Sequence, residues 1–309
     1  MELGNQTLVT EFILIGFSWN FQVCIFLFIF FFIIYIMTML GNGFLIFTVI
    51  VSPQLHTPMY YFLCNLSFLD LCYSSNALPR FLYDVLSKSR RISVIMCLTQ
   101  MSIGLILAGI ECTLLAVMAY DRYIAICFPL YYTTIMSWRV CRNITASMWL
   151  GSIFFSSFPT IFQPPVFCKE NQVNHFYCEA LILMELACGD TSIYKLSAVI
   201  TGVFTLLVPT VFIVGSYICI IISILKIHSS QGRCKAFSTC ASHLTLVVLF
   251  FGTCMTMYMG QVKIFSSHMK YISLIYIVGT PLLNPVIYSL RNNEVKGAFA
   301  KILTRCLLY

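Results

Sequence analysis

An acid and a base stand side by side at Asp121 and Arg122, within the string MAYDRYIAIC that closes a long apolar stretch. A charged pair in that setting needs a reason, because each charge is costly at membrane depth unless it is paired or reaches the interface. Arg122 cannot be neutralised, and its long stem lets it either pair with Asp121 or turn inward. One side chain with two states is switch chemistry; the plainer alternative is an anchor that fixes helix depth. Two more acids, Asp70 and Glu111, each interrupt an otherwise uncharged run. At 1.5 Å per residue, Glu111 lies roughly 16 Å along one helix from Arg122, near mid-membrane, with Asp70 at comparable depth. Two carboxylates there need a cation or protons. A sodium ion held by Asp70 and Glu111, with Asn42 or Asn284 nearby, fits hard oxygen ligation, and a protonated, hydrogen-bonded acid answers the cost equally well. His175, Cys178 and Glu179 have a HisXXCysGlu spacing that could offer ligands to copper or zinc.

The elements that carry these residues follow from composition. Of 309 residues, 60% are hydrophobic and 9% charged, which excludes a soluble domain of ordinary make-up. The expected fold is an all-α membrane protein, a bundle of seven transmembrane helices. The spans fall at about 24–51, 59–79, 92–120, 143–166, 196–225, 237–262 and 271–290. Residues 1–23 form an amino-terminal segment that starts without a basic n-region, so span one serves as its own signal anchor. Residues 291–309 form a tail, in which Val295, Ala298, Phe299, Ile302 and Leu303 share one face of an amphipathic helix on the membrane lipid. Cys306 beyond it is a candidate for palmitoylation, or an unmodified terminal thiol.

Three features bear on orientation. With the amino terminus extracellular, ten Lys and Arg lie inside against eight outside, a small positive-inside excess. Asn5 heads the sequon Asn5-Gln6-Thr7, free for glycosylation on that side. Cys97, Cys168, Cys178 and Cys188 fall together on the same side, an even set that reads as two disulfides in an oxidising compartment. Four cysteines allow three pairings, and spacing does not choose among them. The loop from 167 to 195 is long enough to form a stapled lid. Cysteines within spans read as small apolar packing residues.

With AspArgTyr closing span three and PLLNPVIYSLRN (Pro281 to Asn292) closing span seven, the chain resembles a rhodopsin-like G-protein-coupled receptor. LHTPMYYFL from Leu55, the full MAYDRYIAIC and KAFSTCASHL from Lys235 narrow the resemblance to the odorant receptor family, from Glu11 to Asn292. It implies that the Asp121–Arg122 pair breaks on activation and that Arg122 then meets Tyr217, near Tyr288. It implies a swing of the inner end of span six, at His243, to admit a heterotrimeric G protein of the stimulatory olfactory type, which raises cyclic AMP. Asn284 beside Pro285 supplies a polar group where proline breaks span seven, and Pro209 does the same to span five. The resemblance also implies the bridge Cys97–Cys178, leaving Cys168 for Cys188; Cys97 with Cys188 is the alternative. With Cys178 so engaged, its thiolate is lost to any metal.

A ligand site belongs between the outer halves of the spans, below the lid. Span three offers Gly104, Leu105, Ala108, Gly109 and Cys112, small residues that either leave a cavity or pack helices closely. Span five adds Thr201, Gly202 and Thr205; span six adds Phe251, Cys254, Met255 and Tyr258; span seven adds Leu274, Ile277 and Val278. This lining has no fixed charge and suits a small, volatile, mostly apolar odorant. Gly104 stands where aminergic receptors carry an acid, and Phe251 where the odorant family usually has tyrosine. A non-olfactory receptor for another small apolar ligand is the alternative. A channel would want a polar stripe and a transporter paired repeats with broken helices, and neither pattern is present. Ser242 and His243 have no partner acid, so the chain is expected not to be an enzyme, and it needs no cofactor beyond that sodium ion. Nothing points to nucleic acid. The expected location is the plasma membrane.

Overall fold

The computed structural model describes residues 8–17, 20–87, 89–168, 170–259, 269–291 and 293–307. Seven long helices run through these residues, six of them apolar enough over their length to cross a membrane. Helix one is Phe21–Val51, with the Val23 backbone N–H donating to the Asn20 side chain as an N-cap at 3.1 Å. Most of its phenylalanines, such as Phe26 and Phe30, are exposed, Phe31 being the buried one, while Thr38, Asn42 and Thr48 are buried. That is the inverse of a soluble protein and suits a lipid surround.

Helix two, Pro58–Leu86, outruns the expected end at residue 79. The Arg80 guanidinium meets Asp84 at 2.8 Å one turn on and donates to the Arg91 carbonyl at 2.6 Å, so the two charges that suggested a boundary neutralise each other within the helix. Helix three, Val94–Cys127, starts two residues late, because Ile92 belongs to a strand and Ser93 caps the first turn. It continues past Tyr120, so Asp121 and Arg122 are intrahelical. Helix four is Trp138–Phe162, offset from the expected 143–166 because Arg139 and Arg142 occupy its first turns and Val166 is in a strand.

Helix five runs Ser192–Leu225 and helix six Ser230–Met259; residues 260–262 of the expected sixth span lie outside the described set. Helix seven covers 269–291. Helices five and seven each contain a π-turn, at Val203–Leu207 and Ile275–Gly279, where one extra residue per turn shifts the helical phase. Helix eight, Asn293–Leu307, buries Val295 and Ala298 and leaves Lys296 and Lys301 exposed. Tyr60 of helix two donates to its Glu294 at 2.8 Å. The side chains of Leu303 and Cys306 lie outside the described residues.

Two small sheets roof one end of the bundle. The first has β1 (Glu11–Leu14) at its centre, antiparallel to β2 (Arg91–Ser93) and parallel to β4 (Gln172–Val173), in the register Phe12 with Ile92 and Ile13 with Gln172. The second pairs β3 (Val166–Phe167) with β5 (Ala187–Cys188). Between them sits a short lid helix, Ala180–Leu186. Phe12, Leu14, Val173, Cys178 and Leu183 are fully buried beneath this roof as a core of their own. Each such large apolar side chain contributes on the order of 2 kcal/mol.

Candidate ligand cavity and switch

Below the lid lies a cavity of about 170 Å³ between helices three to seven, with Tyr73 of helix two also on its wall. From the expected set it is lined by Gly104, Leu105, Ala108, Gly109, Cys112, Thr201, Thr205, Cys254 and Ile277. Gly202, Phe251, Met255, Leu274 and Val278 do not line it. Phe251 is buried with its ring edge-on to Phe250 at 5.3 Å, in the core. On helix six the wall is Cys254 and Met257, three residues apart on one face, which turns Met255 away. On helix seven the wall is Ser273, Tyr276 and Ile277, which displaces Leu274 and Val278 beside the π-turn. The side chain of Tyr258, and all of Asn5, lie outside the described residues.

The sequence reading places a lid over the site but names no lining residue on it or on the fourth helix. Tyr177, Cys178, Glu179, Ala180, Leu181 and Met184 form the ceiling, and Phe155, Ser156, Pro159 and Thr160 supply a wall. Of these, Cys178 is marked in the sequence by the outer cysteine set, and Cys178 and Glu179 by the HisXXCysGlu string. The lining is therefore not free of ionisable groups, as the span residues alone implied. Glu179 caps the lid helix, its Oε2 accepting from the backbone N–H of Leu181 at 2.9 Å and Ile182 at 3.3 Å. Burial pushes its carboxyl up to about 7, against the pull of those two donors.

The lid is tied down chemically. Disulfides join Cys97 to Cys178, with Cα atoms 5.4 Å apart, and Cys168 to Cys188 at 5.9 Å. Cys97 with Cys188 is thus not formed. The Tyr177 hydroxyl donates to the Gln100 carbonyl at 3.1 Å and accepts from Asn76 Nδ2 at 2.9 Å. It occupies the space where a Cβ on residue 104 would stand, so glycine at 104 serves this close approach rather than empty volume. Gly109 does the same for Ser152 of helix four, whose hydroxyl donates to the Ile106 carbonyl at 2.9 Å. The small face of helix three thus both packs and borders the cavity. The His175 ring is buried, its Nδ1 accepting from the Tyr177 backbone N–H at 3.1 Å and its Nε2 lying 3.3 Å from Ser273 Oγ of helix seven. With Cys178 oxidised and Glu179 capping a helix, the spacing is spent on structure. Among the described residues no three His, Cys, Asp or Glu side chains converge to hold a metal ion.

Deeper in the bundle, Asn284 Nδ2 donates to both Asp70 oxygens, at 2.8 and 3.0 Å. Glu111 lies near enough for its charge to act on Asp70. Around them Asn42 Oδ1, Ser74 Oγ, Glu111 Oε1 and Asn284 Oδ1 are buried without a hydrogen-bond partner. Asn42 meanwhile donates to the Pro281 carbonyl at 3.0 Å. At the end of the bundle away from the lid, Asp121 Oδ1 accepts from the Tyr132 hydroxyl at 2.7 Å. Among the described residues the ion pairs are Arg80–Asp84 and Arg91–Glu11; Asp121 and Arg122 do not make one. Arg122 is buried, near enough for its charge to act on Asp121 and Tyr132 as well as on Tyr217, Cys240, His243 and Tyr288.

Comparison with known proteins settles the family. Residues 31–306 match the Olfactory receptor family. Human "Olfactory receptor 13H1" is 45% identical over 306 residues, 99% of each chain. Human "Olfactory receptor 13C9" is 46% identical over 314 residues, 99% of this chain and 98% of that one. It belongs to the olfactory receptor family. The fold of the squid rhodopsin crystal structure aligns with a TM-score of 0.74 at 18% identity, covering 93% of this chain and 82% of that one. The receptor is therefore a seven-helix, multi-pass membrane protein of a class that is not enzymatic, with a small-molecule ligand and a G-protein partner.

Within this receptor the residues of the family strings converge at the Arg122 end. Tyr217 and His243 meet across helices five and six, and Tyr288 is buried beside them. Pro285 packs against Gly41 of helix one so closely that a Cβ there would stand 3.1 Å from its ring. The side chains of Lys235, Ser238 and Thr239 lie outside the described residues.

Proposed function

We propose that this olfactory receptor binds small, volatile, mostly apolar odorants in the cavity under the lid and couples to a stimulatory olfactory-type G protein, raising cyclic AMP. One observation carries the reading: a single rigid helix presents Leu105, Ala108 and Cys112 to the cavity and Arg122 to the opposite mouth. An odorant gains dispersion from the apolar wall and one or two hydrogen bonds from Thr201, Thr205 or Ser273. Helix six presents Cys254 and Met257 to the same odorant and carries His243 about 16 Å further down, at 1.5 Å per residue. A small displacement at the cavity thereby reaches the contact that closes the mouth.

Orientation follows from the same reading. The disulfide-bearing end faces outward at the plasma membrane, with the amino terminus and a glycan on Asn5 on that side, and the Arg122 end meets the G protein. The buried oxygens around Asp70 fit a sodium ion; Asp70, Ser74, Asn42 and Glu111 would hold it, and it would supply the positive charge that two buried carboxylates otherwise lack. Arg122 then reads the state of helix six. A cyclic AMP screen against an odorant panel tests the reading, with the Arg122→Ala receptor as control. Expected is a ligand-evoked rise that Arg122→Ala abolishes at equal surface expression; unchanged signalling in that variant overturns the mechanism.

A further inference from the structure

We propose that apolar ligands enter the cavity sideways from the bilayer, through a gap between helices four and five. This rests on reading the cavity as the ligand site. Phe155 of helix four lines the cavity and is also 53% exposed on the outside of the bundle. Ala198 of helix five lines it too and is likewise exposed. A residue that borders an interior space and also faces the surroundings marks a wall one side chain thick. Here two such residues come from neighbouring helices, and the half-buried Thr160 and Ser197 lie beside them on the same wall.

Both helices also depart from regular geometry beside this point. Pro159 lies inside helix four, so the Phe155 carbonyl lacks its donor four residues on. Helix five passes into its π-turn at Val203, just below the gap. Above the gap the helix ends stay joined by Gln163 Nε2, which donates to the Asp190 carbonyl at 2.9 Å. The ceiling offers the contrary picture, with two disulfides, two sheets and the Tyr177 network holding it. An apolar molecule concentrates in the hydrocarbon by its own transfer free energy, so a door in the lipid-facing wall lies on its shortest path.

The cavity carries its own reporters, because Cys112 and Cys254 line it as free thiols while Cys234 is exposed at the start of helix six. The full chain in phosphatidylcholine nanodiscs is treated with apolar N-cyclohexylmaleimide or with a charged trimethylammonium methanethiosulfonate, and peptides are mapped by mass spectrometry. Rates at Cys112 and Cys254 are normalised to Cys234. The apolar reagent should label the cavity thiols, Phe155→Ala should speed this, and Ala198→Trp or Phe155→Trp should slow it about tenfold. Leu183→Ala, which loosens the buried core of the lid and does not line the cavity, should leave the rate alone. Insensitivity to all three gap variants overturns the proposal, as does acceleration by Leu183→Ala with no effect of the gap variants, or no labelling even in Phe155→Ala. Because labelling needs no signalling, gap-dependent entry without any odorant response would count against the receptor reading and leave the portal standing.

Discussion

The Tyr217 hydroxyl lies 2.7 Å from His243 Nδ1, with the two rings stacked 14° from parallel at 5.8 Å. Both residues are buried, so this contact pins helix six to helix five beside Arg122. A buried neutral hydrogen bond of this kind contributes about 1 kcal/mol, or roughly fivefold in an equilibrium. His243→Leu, which keeps the volume and removes the bond, should therefore raise ligand-free cyclic AMP about fivefold at matched surface expression. Basal signalling at the wild-type level would show that the contact does not hold the closed state.

A methyl group at position 104 collides with the Tyr177 hydroxyl and displaces it from Asn76 and Gln100. Stranding those buried groups costs about 1–3 kcal/mol, so Gly104→Ala should lower the melting temperature of the purified receptor. Adding Tyr177→Phe removes the clashing atom and should restore much of the loss. No rescue by the double variant would mean that the collision is relieved some other way.

Two lid residues titrate in opposition. Burial lowers His175 from 6.5 to about 4, and burial raises Glu179 from 4.5 to about 7. His175 is neutral in the folded lid, so its contribution is complete above 6.5 and is lost as the pH falls toward 4. Glu179 keeps its proton in the folded lid, so its contribution is complete below 4.5 and is lost as the pH rises to 7. Between 4.5 and 6.5 the slopes cancel and lid stability should be nearly flat. Glu179→Gln removes one slope, so hydrogen-exchange protection of residues 172–187, corrected for intrinsic rates, should fall with falling pH by up to about tenfold per unit. A flat profile in that variant would contradict the assignment.

The oxygens around Asp70 predict an ionic response. Sodium chloride should raise the melting temperature relative to N-methylglucamine chloride at equal ionic strength, and Asp70→Asn should abolish the difference. Equal melting in both salts for the wild type would mean that protons, not sodium, neutralise Asp70 and Glu111.

Hydropathy located the helices because lipid-facing runs need little beyond apolar composition. It misjudged their ends where a local interaction overrode composition, as when Arg80 and Asp84 pair within helix two or Ile92 joins Phe12 in a sheet. On helix three every small residue expected at the cavity borders it, since the helix is regular there. Helices six and seven show the limit: Met257 replaces Met255, and Ser273 and Tyr276 replace Leu274, because absolute rotation is set by packing and by a π-turn. The ceiling was invisible to periodicity. Tyr177 and Glu179 reach the cavity only through a fold whose strands are two to four residues long. The spacing names Arg122 as a partner for Asp121, and the structure adds Tyr132 from a four-residue helix beyond the span, which no periodicity marks.

The central strand of the roof, β1, precedes every membrane helix, while its parallel partner β4 follows the fourth. During synthesis Ile13 leaves the ribosome long before Gln172, so the edge that β1 offers to β4 stays open while four helices are made. Closing that contact is a non-local and correspondingly slow event. The roof therefore closes late in synthesis: until residue 172 is made, β1 keeps one strand edge bare, the kind of edge that other chains can pair with.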